Sequence, residues 1–284
     1  MTYCECYEKG CHILNEAGIE ESTLDARLLL EAVCGTDRND LLVHGEQPVE
    51  PETEEKYFGW IGKRAGRIPL QQLTGEQDFM GLTFTVNENV LIPRQDTEIL
   101  VEEVLKELHD RMRILDMCTG SGCILLSLLH YSNDCEGLGV DLSAEALEVA
   151  GRNVLKVLTP EKAEHAHFLQ SDLFEKVEGK FEIIVSNPPY IASAEIEKLM
   201  PEVRDHEPRM ALDGTEDGLH FYRRIIKEAG KHLVNSGMLF FEIGYDQGQV
   251  VSELMRTGGY REVQVVQDYA GLDRVVLGTY CERN

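Results

Sequence analysis

The sequence predicts an α/β fold: an open, largely parallel sheet with helices on its faces, preceded by a small helical domain and a β-hairpin linker. Three observations carry this expectation. Beyond about residue 110, short apolar runs alternate with stretches of helical periodicity, as in successive strand–helix units. One of these units, residues 113–130, passes from strand to helix through the glycine turn Thr119-Gly120-Ser121-Gly122. Four successive strands carry polar residues at their ends, Asp116, Asp141, Asp172 and Asn187, and in an open α/β sheet such ends face one crevice.

The 284 residues suffice for two domains with proper cores, and 43% hydrophobic with 27% charged residues is an ordinary globular composition. A formal charge of −24 argues against affinity gained by neutralising phosphates, so stable nucleic-acid binding is not expected. The first residues have no apolar signal core and no window reaches 18 uninterrupted apolar residues, which reads as a cytoplasmic protein that does not enter membranes. The eight cysteines have irregular spacing and no CxxC pair, as expected of reduced thiols. Cys4, Cys6, Cys11 and His12 could in principle form a metal cluster, but small hydrophobes on an amphipathic helix is the reading adopted, and no metal is expected.

In chain order, residues 1–72 form the helical domain. Leu24, Leu28, Leu29 and Val33 stand at helical spacing, with Ser22 as the expected cap and Gly35 as the stop. Polar punctuation at residues 45–48 and 50–53 divides the domain, whose last long helix runs from about 53 to 65 and ends at Gly66. Either partner recognition or a stabilising cap on the second domain would account for it. Residues 73–93 read as a hairpin linker, with alternation at Phe79, Leu82, Phe84 and Val86, then Val90 to Ile92, and its turn at Asn87-Glu88-Asn89.

The remaining residues, 94–284, form the α/β domain. Asp96 or Thr97 is expected to cap a helix through Leu108, and Arg94 is either a surface charge or a contact at the mouth of a site. Gly120 and Gly122 let the backbone approach a ligand, and the helix start at Cys123 offers unpaired N–H groups. Cys118 is expected at negative φ. Nineteen residues past Gly122, the strand at 137–140 ends in Asp141, placed to accept the hydroxyls of a ribose. A helix at 143–158, capped by Ser143, leads to a strand at 165–170 that delivers Asp172, either an acceptor for an adenine amino group or a loop carboxylate. After the strand at 181–185, residues 192–218 form a polar excursion of lid or wall length. A helix at 219–234, a strand at 237–243, a helix at 247–255 and an antiparallel pair at 263–267 and 274–278 complete the chain.

Asn187-Pro188-Pro189-Tyr190 closes an apolar strand with a rigid, aromatic-tipped loop. Two prolines fix φ and offer no N–H, leaving nearby carbonyls to accept from a ligand. With the Asn187 side-chain oxygen they could take both hydrogens of a planar –NH2 group while the Tyr190 ring lies against its face. That arrangement suits transfer to a delocalised nitrogen, whose lone pair it would aim at an electrophile.

Taken together, these residues resemble the class I S-adenosylmethionine methyltransferases, and more narrowly the PrmC/HemK family of peptide chain release factor glutamine methyltransferases. The segments that carry the resemblance are Ile92-Pro-Arg-Gln-Asp-Thr-Glu98, Asp116-Met-Cys-Thr-Gly-Ser-Gly122, Asn187-Pro-Pro-Tyr190, Glu207-Pro-Arg-Met-Ala-Leu212 and Glu242-Ile-Gly244, besides the helical domain and hairpin. The resemblance implies a Rossmann-like seven-stranded sheet with its last strand antiparallel. It also implies methyl transfer from S-adenosyl-L-methionine, leaving S-adenosyl-L-homocysteine, to the side-chain nitrogen (N5) of the glutamine in the Gly-Gly-Gln motif of class I release factors. The cofactor would be held by Asp116, Cys118, Thr119, Gly120, Ser121, Gly122, Asp141, Leu142, Asp172, Leu173 and Asn187. Asn187, Pro188, Pro189 and Tyr190 would serve catalysis and bind the substrate glutamine, with Arg94 as a further substrate contact. A monomer with the release factor as its protein partner is the expected state.

The sequence departs from the family pattern at Cys118, where glycine is frequent, and at Gln95, where proline is common. A cysteine at 118 also occurs in sibling enzymes that methylate a glutamine of a ribosomal protein. The alternatives are that ribosomal substrate, or adenine-N6 methylation of DNA or RNA, which uses the same tetrapeptide on a flipped base. A non-catalytic binding protein is opposed by the intact loop, and a dinucleotide-dependent dehydrogenase by the missing third fingerprint glycine.

Overall fold

Thr2 and Asp37 each start a helix by the same device, a capping box in which the side chain accepts from the third helical N–H and an acidic residue there returns the bond. They open α1 (Tyr3–Glu16) and α3 (Arg38–His44), with α2 (Ser22–Cys34) between them and α4 (Pro51–Ala65) and α5 (Leu70–Thr74) following. A computed structural model describes residues 1–282 and separates into two compact units. Met1–Glu76 together with Met200–His206 form one, and Gln77–Leu199 with the chain from Glu207 form the other.

The helical unit packs α1, α2 and α4 around Leu14, Leu29, Leu30, Tyr57 and Ile61, all fully buried. Gly10 is needed there, since a Cβ at that position would lie 2.0 Å from the Tyr57 hydroxyl oxygen. Within this unit Arg64 donates to Asp25 at 2.7 Å and to Glu202 at 3.1 Å, a buried ionic triad that includes a residue from Met200–His206. Gly35 stops α2 at φ 65° as expected. Ser22 is not its cap: the cap position is Glu21, without a side-chain bond. The buried stripe of α2 also lies a little round from the expected one, on Ala26, Leu29 and Leu30, with Leu24 37% exposed.

In the second unit the hairpin is shorter than the alternation implied. It pairs β1 (Glu76–Phe79) with β2 (Leu82–Thr85). Its turn is Met80-Gly81, both at positive φ (52° and 70°), as a two-residue connection matched to strand twist requires. Residues 87–92 are irregular. Asp96 and Thr97 do not cap the helix α6 (Asp96–Glu107); Gln95 holds the cap position without a side-chain bond, and the two residues are used elsewhere.

The sheet comprises β3 (Arg113–Met117), β4 (Glu136–Asp141), β5 (Ala166–Gln170), β6 (Phe181–Ser186), β7 (Leu233–Glu242), β8 (Tyr260–Gln267) and β9 (Asp273–Tyr280). Its order is β5-β4-β3-β6-β7-β9-β8, seven strands as the resemblance implied. All pairs are parallel except those of β9, which runs antiparallel to β7 and β8. The helices between strands are α7 (Cys123–Tyr131), α8 (Ala144–Val157) and the single turn α9 (Pro160–Ala163). After β6 come α10 (Ser193–Ile196), α11 (Pro201–Arg204), α12 (Arg209–Leu212) and α13 (His220–Ala229), and after β7 comes α14 (Gly248–Thr257). The expected helix at 219–234 ends at Ala229, and Leu233 already belongs to β7.

Alternation along the strands separates two cores. Ile114, Ile183, Val185 and Phe240 face one way with α6 and α7, and Leu115, Ile184, Leu239 and Phe241 face the other with α13 and α14. Strand order reverses direction at β3, flanked by β4 and β6, so the crevice beyond its carboxyl end is the switch point where ligands bind. Register makes the placement definite: Met117 pairs with Ser186 and with Val140, which sets Cys118, Asn187 and Asp141 side by side one residue further on. Among the described residues no helix is long and apolar enough to cross a membrane.

Candidate active site

A cavity of about 390 Å³ opens beyond β3, β4, β5 and β6, within the second unit. Its floor is the glycine turn. Gly120 (φ 55°) and Gly122 (φ 78°) occupy the left-handed region, and so does Cys118 (φ 64°). The expectation of negative φ at Cys118 is therefore corrected: the chain turns there as though for glycine, and the thiol accepts that conformation. Thr119 and Ser121 also line the cavity, whereas Gly122 caps α7 against Ala150 and Leu126, each 3.2 Å from where its Cβ would be.

Asp116 does not line the cavity. It is fully buried behind the turn, where Oδ2 accepts from Thr119 Oγ1 at 2.6 Å and Oδ1 has no partner. Burial pushes its carboxyl up to about 7, against the Thr119 hydrogen bond. Asp141 does reach the cavity, with one oxygen on the Gly120 N–H and the other on the Ser143 N–H, both at 2.9 Å. Burial raises this carboxyl too, and those two amides oppose the rise. Leu142, 55% exposed, Asp172 and Leu173 continue the wall, and Asp172 is paired with Arg224 of α13 at 3.0 Å.

At the other end stand Asn187 and Pro189. Pro188 is buried and Tyr190 half-buried, and neither lines the cavity. The loop is held firmly: Gln247 Nε2 donates to the Tyr190 carbonyl at 3.0 Å, and Ile191 bridges to Asp213 of the excursion. Gly214 and Gly218 allow that approach, because a Cβ would lie 2.8 Å from the Pro189 oxygen in one case and 2.3 Å from the Tyr190 oxygen in the other. The expected wall from the excursion is present in Pro208, Met210, Ala211 and Asp213. Arg94 lines the cavity and pairs with the buried Glu207, whose carboxyl burial raises and Arg94 lowers.

Several residues of this site carried no reading from sequence. Asn153 of α8 is buried and fully used, donating to the Ser121 and Thr85 carbonyls (2.9 and 3.0 Å) and accepting from Thr85 N–H (2.7 Å), so it ties the hairpin to the glycine turn. Phe221 of α13 also lines the cavity, and so does Thr97, which the sequence offered as a helix cap and not as a residue of the site. Among the described residues no group of His, Cys, Asp or Glu could hold a metal ion, and all eight cysteines are free.

Comparison with known proteins agrees with this architecture. Residues 5–75 match the PrmC N-terminal domain and residues 94–203 the methyltransferase small domain. The release factor glutamine methyltransferase of Moorella thermoacetica is 42% identical over 281 residues, 98% of each chain. That of Clostridium acetobutylicum is 41% identical over 273 residues, 95% of each. A methyltransferase structure from Pyrococcus furiosus, 18% identical, superposes with a TM-score of 0.53 over 78% of this chain and all of its own, a likeness of fold.

Proposed function

The chain belongs to the release factor glutamine methyltransferase family, and from that membership we propose that it moves a methyl group from S-adenosylmethionine to a release factor. The acceptor is the side-chain amide nitrogen (N5) of the glutamine in the Gly-Gly-Gln motif of class I peptide chain release factors. The observation that carries this reading is that Asn187 and Pro189 line the same cavity as Asp141 and the glycine turn.

The residues present fit the cofactor. The cavity is of small-molecule size, and each Asp141 oxygen keeps a lone pair for a ribose hydroxyl beyond its backbone bond. Asp172 and Leu173 would hold the adenine, with Leu142 as an apolar side chain on the same wall. Cys118, Thr119, Gly120 and Ser121 would hold the methionine end, with Asp116 supporting the turn through Thr119 and Gly122 starting α7. When bound, S-adenosylmethionine supplies a methyl group on a sulfonium whose departure leaves the neutral thioether of S-adenosylhomocysteine.

The chain's own residues prepare the acceptor. Asn187, which lines the cavity, takes an amide hydrogen on its side-chain oxygen, which orients the nitrogen lone pair and favours the charge that grows there. The alkylated nitrogen then gives one of its protons to water. Pro189 stiffens the loop and Tyr190 backs it, while Arg94, fixed by Glu207, holds the entering peptide at the mouth. The same proposal places the reaction in the cytoplasm, with the release factor as partner of a monomer; eight free cysteines suit a reducing compartment.

The test is single-turnover methylation with labelled S-adenosylmethionine and, separately, intact release factor, ribosomal protein and DNA, followed by mass spectrometry of the labelled product. Label on the Gly-Gly-Gln glutamine is expected. Label on another side chain, or only on nucleic acid, would overturn the release-factor reading.

A further inference from the structure

Gln247, at the cap position of α14, joins the end of β7 to the loop that carries Asn187 and Pro189. Its Nε2 donates to the Tyr190 carbonyl at 3.0 Å and, more weakly, to the Gly218 carbonyl at 3.5 Å, where the 192–218 excursion ends. Its Oε1 accepts from the Gly244 N–H at 3.0 Å, just past β7. Two carbonyl oxygens thus converge on one nitrogen, and neither has a hydrogen to give the other.

We propose that Gln247 is a positioning residue that holds the Asn187–Tyr190 loop in its working place beside the cofactor site; this rests on the methyl-transfer reading above. Backbone partners fix the direction of its amide. The Gly244 N–H can only donate and the two carbonyls can only accept, so Oε1 must face the first and –NH2 the others. The loop depends on such a pin because Pro188 and Pro189 bring no N–H of their own. At its start the Ser186 hydroxyl donates to the Met117 carbonyl of β3 at 2.6 Å. Between the two pins Asn187 Nδ2 donates to Thr97 Oγ1 at a long 3.4 Å. Past the loop, Ile191 donates to the Leu212 carbonyl at 3.0 Å and accepts from the Gly214 N–H at 2.8 Å, within the same excursion that Gln247 meets at Gly218. Asn187 and Pro189, which line the cavity, are therefore suspended between β3 and Gln247.

A glutamine carries no charge at any working pH, so the pin itself does not titrate. The titratable groups around it are few. Tyr222 of α13 donates to the Glu242 backbone carbonyl at 2.9 Å and lies 3.4 Å from Gln247 Oε1. The Tyr190 phenol meets the Glu242 carboxylate at 3.4 Å, and burial holds both phenols above their ordinary range. Asp246 precedes Gln247 in the chain, Asp217 beside Gly218 is paired with Arg223, and on β9 Asp273 stands against Gly248 while Arg274 reaches the Ile243 carbonyl at 3.5 Å. Glutamate at this position would have nearly the same shape and still accept from Gly244, but it would set oxygen against the Tyr190 and Gly218 carbonyls. Only protonation would restore a donor.

The test compares wild type with Gln247→Glu and Gln247→Met, measuring kcat and KM for release factor, cofactor Kd by calorimetry, and kcat against pH. At pH about 8 each variant should lower kcat by roughly 10–100-fold, with KM and cofactor Kd within about threefold of wild type. The ratio of Gln247→Glu to wild-type kcat should climb about tenfold as pH falls to about 5.5, whereas that of Gln247→Met, which has no proton to gain, should stay flat. Groups common to the three proteins cancel in these ratios. If the glutamate variant does not fold, the split between kcat and Kd in Gln247→Met decides alone. Wild-type kcat in either variant, a loss shared equally by cofactor Kd, or a flat ratio in Gln247→Glu would overturn the positioning role while methylation by wild type stood. Failure of wild type to label release factor would strike the underlying reading instead.

Discussion

Asp141 accepts the Gly120 N–H at 2.9 Å, so the carboxylate at the end of β4 holds the glycine turn that follows β3. The carboxylate we propose as the ribose acceptor and the turn we propose as the cofactor floor are thereby one rigid piece. Asp141→Ala removes both the charge-assisted bonds to the ribose and this brace, and should weaken S-adenosylmethionine binding by on the order of 2–4 kcal/mol. Asp141→Asn, which keeps one acceptor oxygen, should lose less. Calorimetry measures both, and an unchanged Kd in Asp141→Ala would remove the residue from the site.

Cys118 sits at φ 64°, a conformation glycine adopts freely and a side chain only at some cost. Cys118→Gly should therefore keep activity within about threefold, and its stability within about 1 kcal/mol, because relieved strain offsets a more flexible unfolded chain. Cys118→Val puts a β-branched side chain at positive φ and should destabilise by roughly 1–3 kcal/mol. Thermal unfolding separates the two. A complete loss of activity in Cys118→Gly would mean that the thiol itself participates.

Asn187→Ala should lower turnover by roughly 10²–10³ while changing cofactor affinity little, since the lost acceptor acts mainly as charge develops on nitrogen. Replacing the target glutamine by asparagine should suppress transfer as well, because a side chain one methylene shorter holds its nitrogen away from the methyl group. Parallel single-turnover rates and calorimetric titrations decide between this and a purely structural loss.

In the helical unit, Arg64 is shared by the buried Asp25 and Glu202. Arg64→Met would leave two carboxylates without that partner and should destabilise the unit by about 3–5 kcal/mol. Burial works to raise the Glu202 carboxyl, but its own backbone amide and the two arginines, Arg67 and Arg64, outweigh it and hold the group below 4.5. Its contribution is present above that pH and is lost as pH falls through the lower folded value. Denaturant titrations of wild type and Arg64→Met at pH 7 and in acid test both points.

The opposite sign holds at the sheet. Asp116 and Glu242 are raised by burial from 3.8 and 4.5 to about 7 each. The folded chain thus binds their protons more tightly than the unfolded chain does. Their contribution is complete below the unfolded values and is lost as pH rises through about 7. Without cofactor, stability should fall over that interval, and Glu242→Gln should flatten part of the decline. Equal pH dependence in wild type and Glu242→Gln would show that Glu242 does not titrate there.

What the sequence determined by itself was whatever depends on local chemistry. Periodicity located the strands β3 to β6, because an apolar run with a polar end needs no distant partner to be recognised. Glycine spacing marked the turn at 119–122, and the Asn-Pro-Pro-Tyr loop stood out at its strand end through the rigidity of proline. Boundaries decided by competition between segments were not legible. Helix α13 stops at Ala229 because Leu233 pairs with Phe181 in β6, and the hairpin turns at Met80-Gly81 although Asn87-Glu88-Asn89 has stronger turn composition. Asp96 and Thr97 read as caps because a cap is the usual local use of such residues. Only the tertiary structure set Arg274 against the one and Asn187 against the other. The left-handed backbone at Cys118 and the burial of Glu242 beneath Tyr190 have the same origin: each depends on residues from several strands meeting at the reversal beside β3, and no single stretch of sequence records that meeting.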